Sequence, residues 1–290
     1  MRPAAILFSA VLAAPAAAQT TVDQRRPAAP EGLVDIENMA GSIRVTGWDK
    51  PEVAVSGKLG RRASALQLSG GEDRTRIEVE AEGSPHGVRS DLDIKVPAGS
   101  RLRIEGFEAS ITITGVTGSV EAETVNGTIT LAGGTREVEL QAVNGGVEIA
   151  RASGRIKAES VNGPVTVRDS SGELEASTVN GPLVVTGGNW DRVRIETVSG
   201  SLRFEAALPK HAALEAETVS GSVELVLPSQ IAADFSISSF SGDIDNEFGP
   251  APTRESRWTS EKHLGFSVGG GGTRVSVQTL SGNIHLRKRP

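Results

Sequence analysis

Residues whose types and spacing could do chemistry fall into three groups. The first is a nucleophile-elbow pattern, Gly265-Phe266-Ser267-Val268-Gly269. A serine in that pattern needs a strand-to-helix turn to expose its hydroxyl, a histidine base and an oxyanion hole. Here Leu264, Phe266 and Val268 alternate as a strand does, and the run Gly269 to Gly272 that follows starts a helix poorly. No nucleophile is expected at Ser267. The second group, His86, His211, His263 and His285, is scattered, without the i, i+4 spacing that sets two imidazoles on one helix face. The chain has no cysteine and no tyrosine, which removes thiol and phenol chemistry. The expectation is a non-enzymatic protein with no catalytic residue and no cofactor.

The third group is a column of carboxylates: Glu105, Glu123, Gln141, Glu159, Ser177, Glu196 and Glu217 each stand two residues before a recurring apolar position. Carboxylates stacked one strand spacing apart repel by about 1 kcal/mol in water. Two arrangements relieve this. Arg103, Lys157 and Arg194 in the adjoining outward column pair with the carboxylates, which is the expected one. Otherwise Glu105, Glu123, Glu159, Glu196 and Glu217 act as oxygen ligands to bridging divalent cations. They are the only metal-ligand candidates, and no metal is expected.

The column exists because the chain repeats. Ser/Thr-Val-Asn/Ser-Gly recurs at Thr124–Gly127, Ser160–Gly163, Thr178–Gly181, Thr197–Gly200 and Thr218–Gly221, with looser copies at Ala142–Gly145, Ser239–Gly242 and Thr279–Gly282. Aligned on the valine of this turn, five positions are apolar together; for Val143 they are Val138, Leu140, Val143, Val147 and Ile149. Their period of two on each side of the turn is the strand signature. The phase slips by one residue between the halves, so the chain must bend at Ser/Thr and turn at Asn/Ser-Gly, where glycine permits positive φ. A second turn is expected at Thr117-Gly118, Ser153-Gly154 and Ser171-Gly172. Val161 and its equivalents are expected inside the stack. Asn126, Asn144, Asn162 and Asn180 would form an amide ladder. Trp48, Trp190 and Trp258 share no repeat position, so no aromatic carbohydrate platform is evident.

These features predict an all-β, single-domain parallel β-solenoid with about 18–21 residues per coil and irregular β caps at both ends. A hexapeptide left-handed β-helix wants an apolar residue every six, and Val125, Leu131, Glu137 breaks that rule. An antiparallel meander is the main competitor, above all for the irregular stretch 49–99.

The repeats, the opening Met39-Ala40-Gly41-Ser42-Ile43-Arg44-Val45-Thr46-Gly47-Trp48-Asp49, the middle Asp91-Leu92-Asp93-Ile94-Lys95-Val96-Pro97-Ala98-Gly99 and the closing Leu280-Ser281-Gly282-Asn283-Ile284 resemble the bacterial putative-adhesin domain family of unknown function. The resemblance covers 32–287. It implies a surface or envelope protein, with some relatives tied to envelope stress, and no catalytic or cofactor residue to carry over.

The ends and the charge complete the reading. Residues 1–18 read as a signal peptide, with Arg2, an apolar stretch and Ala16-Ala17-Ala18 before Gln19. Residues 19–32 read as a flexible lead, and 33–290 as the solenoid domain, divided into a cap region at 33–100 with some antiparallel pairing, regular coils at 101–245 and a looping cap at 246–290. No segment approaches the roughly 20 apolar residues of a membrane span. The formal charge of -6 and pI near 5.4 argue against nucleic acid, and Arg287-Lys288-Arg289 reads as a frayed tail. Export to the periplasm or cell surface is expected, with an envelope or surface partner, protein or glycan, as the ligand. Two other functions stay open: envelope-stress signalling or scaffolding, and a polysaccharide-cleaving β-helix enzyme. The enzyme needs a clustered Asp/Glu/Arg pocket, where the sequence offers a regular column.

Overall fold

Alternating apolar residues and glycine-bearing turns give strands throughout. The computed structural model describes residues 20–60, 63–81, 88–134, 136–254 and 260–289, all strand, turn and irregular chain without a helix. The expected signal peptide, His86 and Trp258 lie outside the described residues. The described strands form one connected hydrogen-bonded sheet.

The N-terminal strands are β1 (Thr20–Pro27), β2 (Leu33–Trp48), β3 (Glu52–Leu59), β4 (Ala63–Gly70), β5 (Arg74–Ala81) and β6 (Ser90–Pro97). The middle holds β7 (Arg101–Thr114), β8 (Val120–Thr124), β9 (Ile129–Ala132), β10 (Glu137–Ala142), β11 (Val147–Ala150), β12 (Ser153–Ser160), β13 (Val165–Arg168), β14 (Ser171–Asn180), β15 (Leu183–Ser199), β16 (Leu202–Ala207), β17 (Ala213–Ser220) and β18 (Val223–Pro228). At the C-terminal end lie β19 (Ala233–Ser241), β20 (Ile244–Asn246), β21 (Thr253–Arg254), β22 (Lys262–Val268), β23 (Thr273–Ser281) and β24 (Ile284–Arg289).

In the middle, each strand pairs in parallel with its own copy one repeat on. β10 joins β12 as Val138↔Ile156 and Leu140↔Ala158, and β11 joins β13 as Val147↔Val165 and Ile149↔Val167. The meander is thereby excluded for this region. Every second side chain, Val138, Leu140, Ile156, Val165 and Val167 among them, is fully buried in one core that also takes in Trp190 and Phe204. Burying a valine or leucine contributes roughly 1.5–3 kcal/mol, and in-register stacking repeats that gain at each step.

The two ends are built differently. At the first, β2 pairs in parallel with β7, β5 and β6, and antiparallel partners β1–β3, β3–β6 and β4–β5 close the edge, as the irregular spacing suggested. Residues 20–27, expected in the flexible lead, are instead β1, held along its whole length by β3. At the other end spatial order departs from chain order: β23 lies between β17 and β19, in parallel with both, and β24 between β18 and β20. The stretch expected to loop carries β22, antiparallel to β19. The closing Arg287-Lys288-Arg289 is not frayed; it pairs with β18, and Arg287 holds Asp245 at 2.7 Å and Glu247 at 3.1 Å.

Three local expectations are corrected. The turn valines are not interior: Val143, Val161 and Val179 are each 40% exposed. The residue before them is buried instead, as at Thr124, Ser160, Thr178 and Thr197. The turn glycines answer a different demand from positive φ, which Gly127, Gly145, Gly163 and Gly181 do not adopt. A Cβ on Gly145 would stand 1.8 Å from the carbonyl oxygen of Gly127, and one on Gly163 2.2 Å from that of Gly145. Stacked backbones approach too closely there for any side chain. Finally, Ser153-Gly154 and Ser171-Gly172 belong to β12 and β14, where both glycines keep a positive φ of 94 and 107, and the corner itself falls earlier, at Arg151 and Asp169 with φ 55 and 49.

Candidate functional site

Strand alternation dictates which side chains meet at the bend. Along β10, Val138, Leu140 and Ala142 face in while Glu139 and Gln141 face out; one further step turns Val143 out beside Gln141. The same step in each repeat sets an apolar column next to the carboxylate column. Phe107, Val143, Val161, Val179, Val198, Val219, Phe240 and Leu280 are all exposed, from 40% at the valines to 55% at Phe240. The two columns bound a trough whose floor is the buried Ser/Thr row. One stretch, about 510 Å³, runs from Glu105 and Glu123 past Val143 and Glu159 to Ser177 and Val179. A second, about 540 Å³, continues from Ser177 and Val179 past Glu196 and Glu217 to Phe240 and Leu280.

The bend is held by backbone hydrogen bonds along the stack, with the Asn144 N–H donating to the Val125 carbonyl at 2.7 Å and that of Asn162 to Val143 at 2.8 Å. In the middle of the row the floor hydroxyls donate to the backbone one repeat earlier, Ser160 Oγ to the Gly145 carbonyl at 2.8 Å and Thr178 Oγ1 to Gly163 at 3.0 Å, whereas the buried Thr197, Thr218 and Thr279 hydroxyls have no hydrogen-bond partner among the described residues. Beyond the valines, Asn144, Asn162 and Asn180 each donate a side-chain amide to the asparagine one repeat earlier at 2.9 Å, which forms the ladder.

Charges on the two outward columns are organised oppositely. In the column away from the trough, signs alternate from Glu139 through Lys157, Glu175 and Arg194 to Glu215, and neighbours pair: Lys157 with Glu139 at 2.9 Å, Arg194 with Glu215 at 3.5 Å. The Lys157 hydrogen bond holds Glu139 below the usual carboxylate range, and Lys157 is raised in turn. The trough column is acidic or neutral throughout. Three of its members draw a cation sideways, Glu105 from Arg103 at 3.1 Å, Glu159 from Lys157 at 3.4 Å and Glu196 from Arg194. Among the described residues no salt bridge reaches Glu123 or Glu217. Burial, and then the charges of Glu215 and Glu196, push the Glu217 carboxyl above its ordinary value.

The other candidates do not assemble into a site. Ser267 lies on β22, and its hydroxyl donates to Asp234 at 2.5 Å. Asp234 also accepts from the Gly272 N–H at 3.1 Å, and these two bonds lower its pKa. The pair closes the glycine turn between β22 and β23. His211 sits in a turn at φ 72, His263 on β22 and His285 on β24, 3.8 Å from Asp245. Among the described residues no three His, Asp or Glu side chains converge as metal ligands, the trough carboxylates included. Trp190 is fully buried, whereas Trp48 lies between Lys50 and Lys95. No described helix is long and apolar enough to cross a membrane.

Parallel repeats, a glycine row and one continuous trough define an all-β repeat protein. The family is the Toastrack family, DUF4097, whose profile matches residues 34–287, and the chain belongs to it. Solved structures also match at low identity, among them ones described as adhesins. One described as a putative adhesin from Bacteroides fragilis covers 93% of this chain and 98% of its own at 8% identity and TM-score 0.43. One from Parabacteroides distasonis, described as a putative lipid binding protein, covers 92% and 97% at 10% identity and TM-score 0.45. No curated protein matches the chain. Likenesses this distant carry no statement about what the chain binds.

Proposed function

We propose that the chain is an exported, non-enzymatic β-solenoid that acts as an adhesin-like or scaffolding protein of the cell envelope. The reading rests on the apolar column, exposed at Phe107 and from Val143 to Phe240, half-buried at Val125, and held at its bends by backbone hydrogen bonds. Contiguous exposed apolar surface rimmed by polar groups marks an interaction site. Parallel pairing at steps of 18 to 21 residues supports the solenoid. The non-enzymatic reading is supported at the one nucleophile-like motif: Ser267 is bonded to a carboxylate and followed by glycines at positive φ.

The test is co-sedimentation of the mature chain with outer-membrane, inner-membrane and sacculus fractions. The wild type should pellet with at least one fraction, and Val143→Asp with Val161→Asp and Val179→Asp should stay in the supernatant while keeping its melting temperature. Wild-type protein left in the supernatant by every fraction overturns the binding role. Edman sequencing of the exported chain should begin at Gln19.

A further inference from the structure

We infer that the trough takes a cationic amphipathic α-helix of a partner protein, with its apolar stripe on the valine column and its Lys/Arg flank against the carboxylates. The inference rests on the binding role proposed above and names the partner's chemistry.

Three observations carry it. Every charged residue of the trough column is acidic, and Glu123 and Glu217 have no salt bridge among the described residues, whereas the neighbouring column carries its own cations, with Lys157 on Glu139 and Arg194 on Glu215. Cations from a partner would complete it, and complementary charge of this kind fixes register. The opposite flank of the apolar column is neutral, because the asparagine amides are spent on one another. The occupant therefore carries charge on one flank only. Spacing selects its form. Repeats stacked as strands recur every 4.8 Å or so, against about 5.4 Å per helical turn. The mismatch over about four repeats is roughly half a step, within the reach of a lysine side chain. An extended peptide, advancing about 6.8 Å per two residues, loses register sooner.

Other occupants fit worse. An acyl chain gains nothing from a carboxylate wall, and an anionic headgroup or nucleic acid is repelled by it. Divalent ions lack converging ligands among the described residues.

The experiment uses the mature chain and a fluorescein-labelled Leu/Lys peptide of about 18 residues, about five turns, with Leu at i, i+3, i+4 and i+7. Controls are a scrambled peptide of the same composition, oligolysine, and neutral phosphatidylcholine vesicles. Fluorescence anisotropy should show binding of the patterned peptide with gain of helical circular dichroism. Glu123→Gln with Glu159→Gln and Glu196→Gln should weaken it at least about tenfold, and so should Val143→Ser with Val161→Ser and Val179→Ser. If the serine variant does not fold, the glutamine variant decides alone. No binding, equal binding of the scrambled peptide or oligolysine, indifference to the glutamine variant, or preference for the vesicles overturns the inference. A chain that still pellets with envelope but ignores the patterned peptide refutes the helical occupant and leaves the binding role standing; loss of both refutes both.

Discussion

The middle of the molecule and its C-terminal end solve the same problem with opposite chain order. From β8 to β18 each repeat lies beside the one that follows it in sequence, so the contacts of a strand are those of its neighbours 18 to 21 residues away. At the end, β23 and β24 return to lie between β17/β18 and β19/β20, so the last strands of the chain are enclosed and β19 is placed outermost, under the antiparallel β22. The difference teaches that periodicity specifies where a strand pairs only while the chain keeps moving one way. Where it reverses, closing an exposed strand edge decides the arrangement, and antiparallel strands do that at both ends.

Deletion separates the two regions most sharply. Removing Asn144 to Val161 takes out one repeat and brings Val143 before Asn162, so Gly163 stacks on Gly127 in the row that Gly145 leaves. The product should stay folded by circular dichroism, melt lower, and be shorter by about 4.8 Å in small-angle scattering. Removing Thr273 to Arg289 strips the enclosed strands from both sides of the junction and should give aggregates on size exclusion. If the two deletions behave alike, the contrast between sequential and enclosed repeats is wrong.

The next largest effect is steric. Gly145→Ala puts a Cβ 1.8 Å from the Gly127 carbonyl oxygen, whereas Gly265→Ala on β22 meets nothing nearer than His263 Nε2 at 3.6 Å. Overpacking costs about 1–3 kcal/mol and occasionally more, and a contact with rigid backbone falls at the upper end, so Gly145→Ala should lower the urea midpoint strongly and Gly265→Ala hardly at all. Similar midpoints for the two variants would remove close approach as the reason for the glycine row.

Within one repeat, Val165 and Val161 carry the same side chain at opposite burial, fully buried and 40% exposed. Val165→Ala should cost about 2 kcal/mol through lost burial and a cavity. Val161→Ala should stay within about 0.5 kcal/mol, as surface changes do. Urea melts of both variants check this, and an equal loss at Val161 would return the turn valines to the core.

The same pair marks how far the sequence was legible. The period of two places Val138, Leu140, Val147 and Ile149 inside, and all are buried. Its apolar side chain groups Val143 with them, yet alternation carried one residue past Ala142 turns it outward, because phase and not hydrophobicity decides which face a strand residue takes. The ion pairs of Glu105, Glu159 and Glu196 with Arg103, Lys157 and Arg194 were legible because both partners recur at fixed offsets. The placement of β23 was not. The 40-residue gap from Phe240 to Leu280 read as about two periods of onward travel, and nothing in spacing distinguishes an onward step from a return.

The smallest effect lies at the junction between the two regions and is one of sign. Glu139, in the alternating column, is held below its ordinary 4.5, first by the Lys157 hydrogen bond. Glu217, on the strand that meets β23, is held above 4.5, first by burial and then by Glu215 and Glu196. A carboxyl with a lowered folded pKa adds stability above its unfolded pKa, and that stability is lost as pH falls through the folded value. A raised one works in reverse: the folded state binds more protons, and stability falls as pH rises from 4.5 through the folded value. Glu139→Gln should therefore lower the melting temperature at pH 7, and Glu217→Gln should raise it. Both differences should shrink to nothing on acidification, that of Glu217→Gln once pH is below 4.5 and that of Glu139→Gln lower still. Each side chain is partly open to solvent, so each effect should be well under about 1 kcal/mol. Melting curves taken from pH 3 to pH 7 at low salt resolve the sign, and a common sign for both variants would mean that the trough column is compensated as fully as its neighbour.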